Sequence, residues 1–167
     1  MAREAQRQDF CRNEAYRARD RRLKGWSMYD IFITHAWRYH DDWVRLSNLL
    51  DAEKSIKWRN FSVPWYDPAL DPNTELGARA VRGWLEGQIR PVKATVLLDG
   101  VYAIKSARKW IDLEIELSRL HGKPVIAVPA PGKDSISADS EALADGVAGW
   151  NARDIIEAIE KAVRATA

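Results

Sequence analysis

ATVLLDGVYAIKSARKWIDLEIELSRLHGKPVIAV, residues 94–128, decides the fold. Ala94–Leu98 is a near-continuous apolar run, as expected of a parallel strand covered on both faces. Pro124–Val128 is a second such run, and Asp99–Tyr102 turns out of the first strand toward the segment between them. That segment, Ser106–Gly122, has the periodicity of one amphipathic helix. Residues on a helix advance by about 100°, so its face can be drawn from sequence. With Trp110 at the centre of the apolar arc, Leu113, Leu117 and Leu120 fall to one side, and Ile111 and Ile115 to the other. Asp112, Glu116 and Arg119 fall opposite, as a solvated face should. Glu114 instead lands between Trp110 and Ile111, inside the apolar sector, and Ser118 and His121 continue its row. An unpaired buried charge is expensive, so a carboxylate there must face a cleft or gain a buried partner. The alternative is a surface acid on a helix whose face is displaced by about 40°.

Upstream, Tyr29–Thr34 is β-branched and aromatic and reads as a strand, with Asp30 an unusual residue near its start. The loop Thr34–His40 is dense in aromatic and imidazole groups. A helix capped by Asp41 follows, carrying Trp43, Leu46, Leu49 and Leu50. Phe61–Val63 reads as a short strand closed by Pro64. Trp65–Asn73 contains two Asp-Pro pairs and reads as a stiffened loop. Thr74 or Asn73 caps the next helix, which runs to about Arg90 with Leu76, Ala80, Trp84 and Leu85 as its apolar positions. Downstream, Pro129–Ser140 reads as a loop and Val147–Trp150 as a weak last strand. Asn151 caps a final helix, with Asp154 completing a box-like pattern and Ile155, Ile156, Ile159 and Val163 as its stripe.

Strand and helix therefore alternate five times. The expected fold class is α/β, a flavodoxin-like five-stranded parallel sheet of order 2-1-3-4-5 with helices on both faces. Ligands of such sheets sit beyond the carboxyl ends of the strands, at the break between the first and third. That places Thr34–Trp37, Asp99–Tyr102 and the helix of Glu114 around one cleft.

Composition bounds the rest. At 167 residues, 46% apolar and 30% charged, the chain suits one soluble domain. Met1–Lys24 holds eight Lys or Arg against four Asp or Glu, so residues 1–27 read as an Arg-rich extension, helical or disordered, and 28–167 as the domain. A net charge of +2 is too small to argue for nucleic acid. The single cysteine, Cys11, fits a reducing compartment. Without a membrane-length apolar run or a signal-like amino terminus, the expectation is a cytoplasmic protein with no membrane partner.

The sequence offers no strong metal motif: His35 and His40 share a loop and His121 is remote. It has no supported Cys-His pair, no G-x-S-x-G and no phosphate-loop lysine motif. Asp30, Asp41 and Asp42 are wrongly placed for a phosphoacceptor. What remains is one carboxylate among aromatics and hydroxyls. One is enough when the leaving group is already good, as when nicotinamide leaves ribose as a neutral molecule. A fixed, water-shielded anion beside the resulting oxocarbenium-like sugar stabilises it more than the ground state. Aromatic faces can stack on nicotinamide or adenine. For Trp110, core packing is the competing reading; for His35 and Trp37, ordinary loop contacts.

YDIFITHAW, Tyr29–Trp37, resembles the opening strand and loop of TIR domains, and WIDLEI resembles their W-x-x-x-E motif. WRNFSVPWYDPALDPNTELG (58–77), RGWLEGQIRPV (82–92) and SARKWIDLEIELSRLHGKPVIAV (106–128) resemble more specifically the TIR-like domains of ThsB proteins of the bacterial Thoeris anti-phage system. The resemblance covers Tyr29–Val128 well and the last helix loosely. It implies that Glu114 is catalytic and Trp110 the motif tryptophan, and that Thr34, His35 and Trp37 line an NAD pocket. Asp99, Tyr102 and Ser106, at the end of the third strand and the start of the helix, complete the expected substrate-binding set. It implies cleavage of NAD, as substrate rather than cofactor, to nicotinamide and a cyclic or conjugated ADP-ribose signal that reaches a separate effector by diffusion. It further implies self-association through the Trp65–Glu75 loop. A non-catalytic interaction module and a nucleotide-binding sensor are the alternatives.

Overall fold

The computed structural model describes residues 27–35, 41–62 and 71–167. The Arg-rich extension to Trp26, Trp37 and residues 63–70 of the Asp-Pro loop lie outside them. In chain order the elements are β1 Met28–Ile33, α1 Asp41–Ala52, β2 Lys57–Asn60, α2 Glu75–Ile89, β3 Ala94–Leu98 and the single turn α3 Asp99–Tyr102. They continue with α4 Lys105–Leu120, β4 Val125–Val128, α5 Ala138–Leu143, β5 Gly146–Val147 and α6 Ala152–Thr166.

All strands pair in parallel, in the order β2-β1-β3-β4-β5. β3 and β4 are buried along their whole length, as their apolar runs require. Alternation along β1 divides the core. Tyr29, Ile31 and Ile33 pack with Leu46 and Leu50 of α1 and Ile155, Ile156 and Ile159 of α6. Phe32 joins Val81, Leu85 and Ile89 of α2 and Leu117 of α4. Helices therefore cover both faces.

The second strand is Lys57–Asn60, not Phe61–Val63. KWRN alternates exposed and half-buried, which is what a sheet edge needs and what an apolar run conceals. It also accounts for Asp30: Arg59, its direct cross-strand partner, grips that carboxylate with two bonds of 2.7 Å.

α2 begins at the expected cap, the Thr74 hydroxyl accepting from the Gly77 N–H. Its buried side is Gly77, Val81, Leu85 and Ile89; of the expected stripe Leu85 is buried and Ala80 half-buried, whereas Leu76 is 68% and Trp84 43% exposed. Gly77 sets that rotation. A Cβ there would stand 1.9 Å from the Asp71 carbonyl oxygen, so the helix can lie against the chain entering it only with glycine at this position. Gly77→Ala is expected to cost about 1–3 kcal/mol, read as a lowered urea midpoint.

Two further corrections concern the carboxyl-terminal half. Ala138–Leu143, inside and beyond the expected loop, is a short helix capped by the Ser137 hydroxyl. The last strand is Gly146–Val147, shorter than expected. The Asn151 cap of α6 holds, accepting from the N–H groups of Arg153 and Asp154. The Asn151 N–H donates to the Gly149 carbonyl at 2.8 Å, so Asp154 does not complete a reciprocal box.

Candidate functional site

α4 carries the acid that the spacing singled out, and buries it. Its covered residues are Ala107, Ile111, Glu114, Ile115, Leu117 and Ser118. At about 100° per residue, Glu114 lies within about 20° of the middle of that arc and Trp110 about 60° from it. Trp110 is therefore the edge of the face, not its centre. It packs half-buried against the Phe32–Leu117 cluster, with the Lys109 ammonium 5.0 Å from its ring. Leu120 is exposed. The displaced-helix alternative is excluded: Glu114 is 2% exposed.

The tip of β1 meets this carboxylate. The His35 backbone N–H donates to it, while Oε2 has no hydrogen-bond partner among the described residues. Burial in apolar surroundings pushes its pKa well above the ordinary 4.5, and the His35 N–H opposes that only in part. The row behind Glu114 is also polar and buried. Ser118 Oγ donates to the Glu114 carbonyl at 2.7 Å and lies 2.7 Å from Thr95 Oγ1. His121, at the end of the row, sits 2.7 Å from Glu86 through Nε2.

Thr34 and His35, at the tip of β1, are both buried, and it is the His35 N–H that reaches this acid. Thr34 works as a clamp between strands: its N–H donates to the Val96 carbonyl at 2.9 Å, and its Oγ1 accepts from the Leu98 N–H at 3.1 Å. The latter bond leaves the hydroxyl proton available to another acceptor. Removing the acceptor strands a buried N–H, so Thr34→Val is expected to cost about 1–3 kcal/mol in chemical denaturation, and Thr34→Ser little. The His35 ring takes the Ile33 carbonyl at 3.2 Å and packs with its centroid 5.9 Å from that of Trp43.

The remaining expected residues divide. The Asp99 carboxylate accepts from the Ser137 N–H at 3.1 Å and hydroxyl at 2.6 Å, joining α3 to the α5 cap. Partial burial raises its pKa, but the serine hydrogen bonds outweigh that and hold it below the usual carboxylate value. The Tyr102 hydroxyl donates to Asp112 at 2.9 Å and its ring lies under Arg108, so it braces the start of α4 away from Glu114. Ser106 is exposed on the first turn of α4. Trp37 lies outside the described residues.

Sequence reasoning missed two features. Trp43 Nε1 donates to the buried Ser62 hydroxyl at 2.9 Å, which in turn bonds Asn60, fixing the aromatic wall beside His35. Asp42, in the first turn of α1, places Oδ2 against Gly100 and Ala130, so the segments after β1, β3 and β4 meet there. Among the described residues no group of three or more His, Cys, Asp or Glu side chains converges on a metal-sized site, and no helix is long and apolar enough to cross a membrane. A groove of about 420 Å³ between β5 and α6 and another of about 260 Å³ at the amino end of β1 are lined by neither Glu114 nor Thr34.

No curated protein matches the chain. Among solved structures, the SEFIR domain of IL-17 receptor B is similar at 13% identity and a TM-score of 0.43, over 84% of this chain and 98% of that one. The CMP N-glycosidase BcmB of Clostridium botulinum is similar at 13% identity and a TM-score of 0.42, over 79% and 98%. Residues 32–135, well over half of the chain, match the family described as Thoeris protein ThsB, TIR-like domain. That span runs from within β1 through the W-x-x-x-E helix to the loop after β4, and so contains Thr34, His35 and Glu114; the chain belongs to the ThsB TIR-like family.

Proposed function

We propose that the chain cleaves the glycosidic bond between nicotinamide and ribose in NAD and passes on the ADP-ribosyl group as a cyclic or conjugated signal for a separate effector of anti-phage defence. The observation that carries this reading is Glu114: a buried acid, one oxygen of which has no hydrogen-bond partner among the described residues, beneath the tip of the first strand. The C1′–N bond breaks with its electron pair going to nicotinamide, which leaves neutral. The sugar becomes oxocarbenium-like, and the Glu114 carboxylate stabilises that charge in a site of low dielectric, where such an interaction is strongest. Water or a hydroxyl or ring nitrogen of a nucleotide then takes the cationic carbon, with loss of a proton. The raised pKa of Glu114 fits an acid that ionises best when a cation stands beside it.

The test is release of nicotinamide from NAD by concentrated protein across pH. The rate is expected to rise with pH, with an apparent pKa above 4.5, because the working form is the carboxylate. No release at any pH or concentration would favour the non-catalytic reading.

Assembly belongs to the same proposal. The Trp65–Glu75 loop runs into the exposed Leu76 and Trp84 of α2, apolar side chains that a self-associating face would cover. Specific activity is then expected to climb more steeply than linearly with protein concentration, and Trp84→Glu to flatten that dependence.

A further inference from the structure

Two of the six residues that α4 buries are polar, and they stand one turn apart in a single row: Glu114 and Ser118. The Ser118 hydroxyl has one proton, and it goes to the Glu114 carbonyl at 2.7 Å. In the 2.7 Å contact between Ser118 Oγ and Thr95 Oγ1, Thr95 is therefore the donor. The bonds run in one direction, from β3 through Thr95 and Ser118 to the backbone of Glu114. Thr95 is itself fixed. It is fully buried, its N–H donates to the Pro124 carbonyl at 3.0 Å, and it stands in register with Phe32 of β1 and Val125 of β4.

Packing does not call for these hydroxyls, because an apolar pair of the same shape would be nearly neutral for stability. Burial of aliphatic side chains such as Ile111, Ile115 and Leu117 has no direction and lets a helix slide on a sheet. A hydrogen bond weakens steeply as its geometry drifts, so the pair sets where along the sheet α4 sits. From Ser118 back to Glu114 the helix rises about 6 Å. From Phe32, level with Thr95, to His35, β1 rises about 10 Å. α4 returns between the parallel strands β3 and β4, so its amino end lies toward the tip of β1. A helix points its side chains toward that end, and the Glu114 side chain covers the remaining distance to the His35 N–H.

We propose that Thr95 and Ser118 are positioning residues for the cleavage of NAD, holding α4 at the height that sets the Glu114 carboxylate against the His35 N–H. The role rests on the NAD-cleaving reading of Glu114. Both hydroxyls are sealed in the core, so neither touches substrate and each acts only through Glu114. The leverage is large, since a misplacement of about 1 Å at a reacting group can cost about a hundredfold in rate.

Thr95→Val, Thr95→Ser and Ser118→Ala separate hydrogen bonding from packing. Valine keeps the shape of threonine without its hydroxyl, and serine keeps the hydroxyl without the methyl group. In Thr95→Val and Ser118→Ala, kcat for nicotinamide release is expected to fall about tenfold to a hundredfold with KM for NAD little changed. The rise of rate with pH should also move to higher pH in both. The His35 N–H lowers the Glu114 pKa, and a displaced carboxylate loses that donor. Thr95→Ser should run close to wild type with its pH profile in place. The double variant Thr95→Val/Ser118→Ala leaves neither hydroxyl of the pair behind, so it keeps the fold, and it should lose no more than the worse single variant, since both changes break one chain of bonds. Unchanged kcat and pH profile in Thr95→Val and Ser118→Ala, or a loss confined to Thr95→Ser as packing alone would give, overturns the assignment. Absence of nicotinamide release from the wild type at any concentration overturns the underlying function, and this role with it.

Discussion

Glu114→Gln is expected to lower nicotinamide release from NAD by at least about a hundredfold while the fold is retained. Glutamine keeps the length and branching of the side chain, and its amide oxygen can still accept from the His35 N–H that meets the carboxylate. What disappears is the negative charge. In water that loss would matter little. In a position 2% exposed, among Ile111, Ile115 and the tip of β1, there is no solvent to replace it. NAD affinity should change far less than turnover, because the charge is used only as the sugar becomes cationic. The measurement is nicotinamide formed under single-turnover conditions, with circular dichroism on both proteins. Equal rates from the two folded chains would remove Glu114 from the chemistry.

Glu114 was legible in the sequence because a helix converts spacing into direction: WIDLEI puts the acid one turn after Trp110, and it took the structure to exclude the surface position that a face displaced by about 40° would give it. The centre of the buried arc was harder to read. Trp110, Leu113 and Leu120 look like core by side-chain type, yet Leu120 is exposed and Trp110 sits at the margin, since bulky apolar groups also close the edges of a face. The parallel core could be read from ATVLL and PVIAV, whose burial on both faces leaves no alternation. β2 could not, because Lys57 and Arg59 belong to an edge strand, and the carboxylate that Arg59 grips, Asp30, is distant in sequence and adjacent in the sheet. The same limit hid Asp99. Placing it at the end of β3 was sound, but its engagement by Ser137 depends on a helix that begins inside a stretch rich in Pro, Gly and Ser. Direction along one helix is local information; the partner a side chain finds across the fold is not.

That acid should also leave a signature on stability, opposite in sign to its effect on rate. In the unfolded chain Glu114 ionises near 4.5; in the folded chain burial moves its pKa well above that. Between the two values the folded chain holds a proton that the unfolded chain has released. Stability therefore falls as pH rises, by up to about 1.4 kcal/mol for each pH unit, and levels off above the folded pKa. The contribution is fully present below the unfolded value and is lost as pH rises through the folded one. Asp99, held low by the Ser137 hydrogen bonds, has the reverse dependence, with its contribution lost toward acid, but it is common to both proteins and cancels in a comparison. The difference in unfolding free energy between Glu114→Gln and wild type, from urea titrations at a series of pH values, is thus expected to grow in favour of glutamine from about pH 4.5 upward. Parallel stability curves would mean that Glu114 is no more desolvated than a surface acid. A curve that diverges over the same pH range in which nicotinamide release rises would tie one proton to both observations: the proton that burial retains is the one that must leave before the site can hold a cationic sugar.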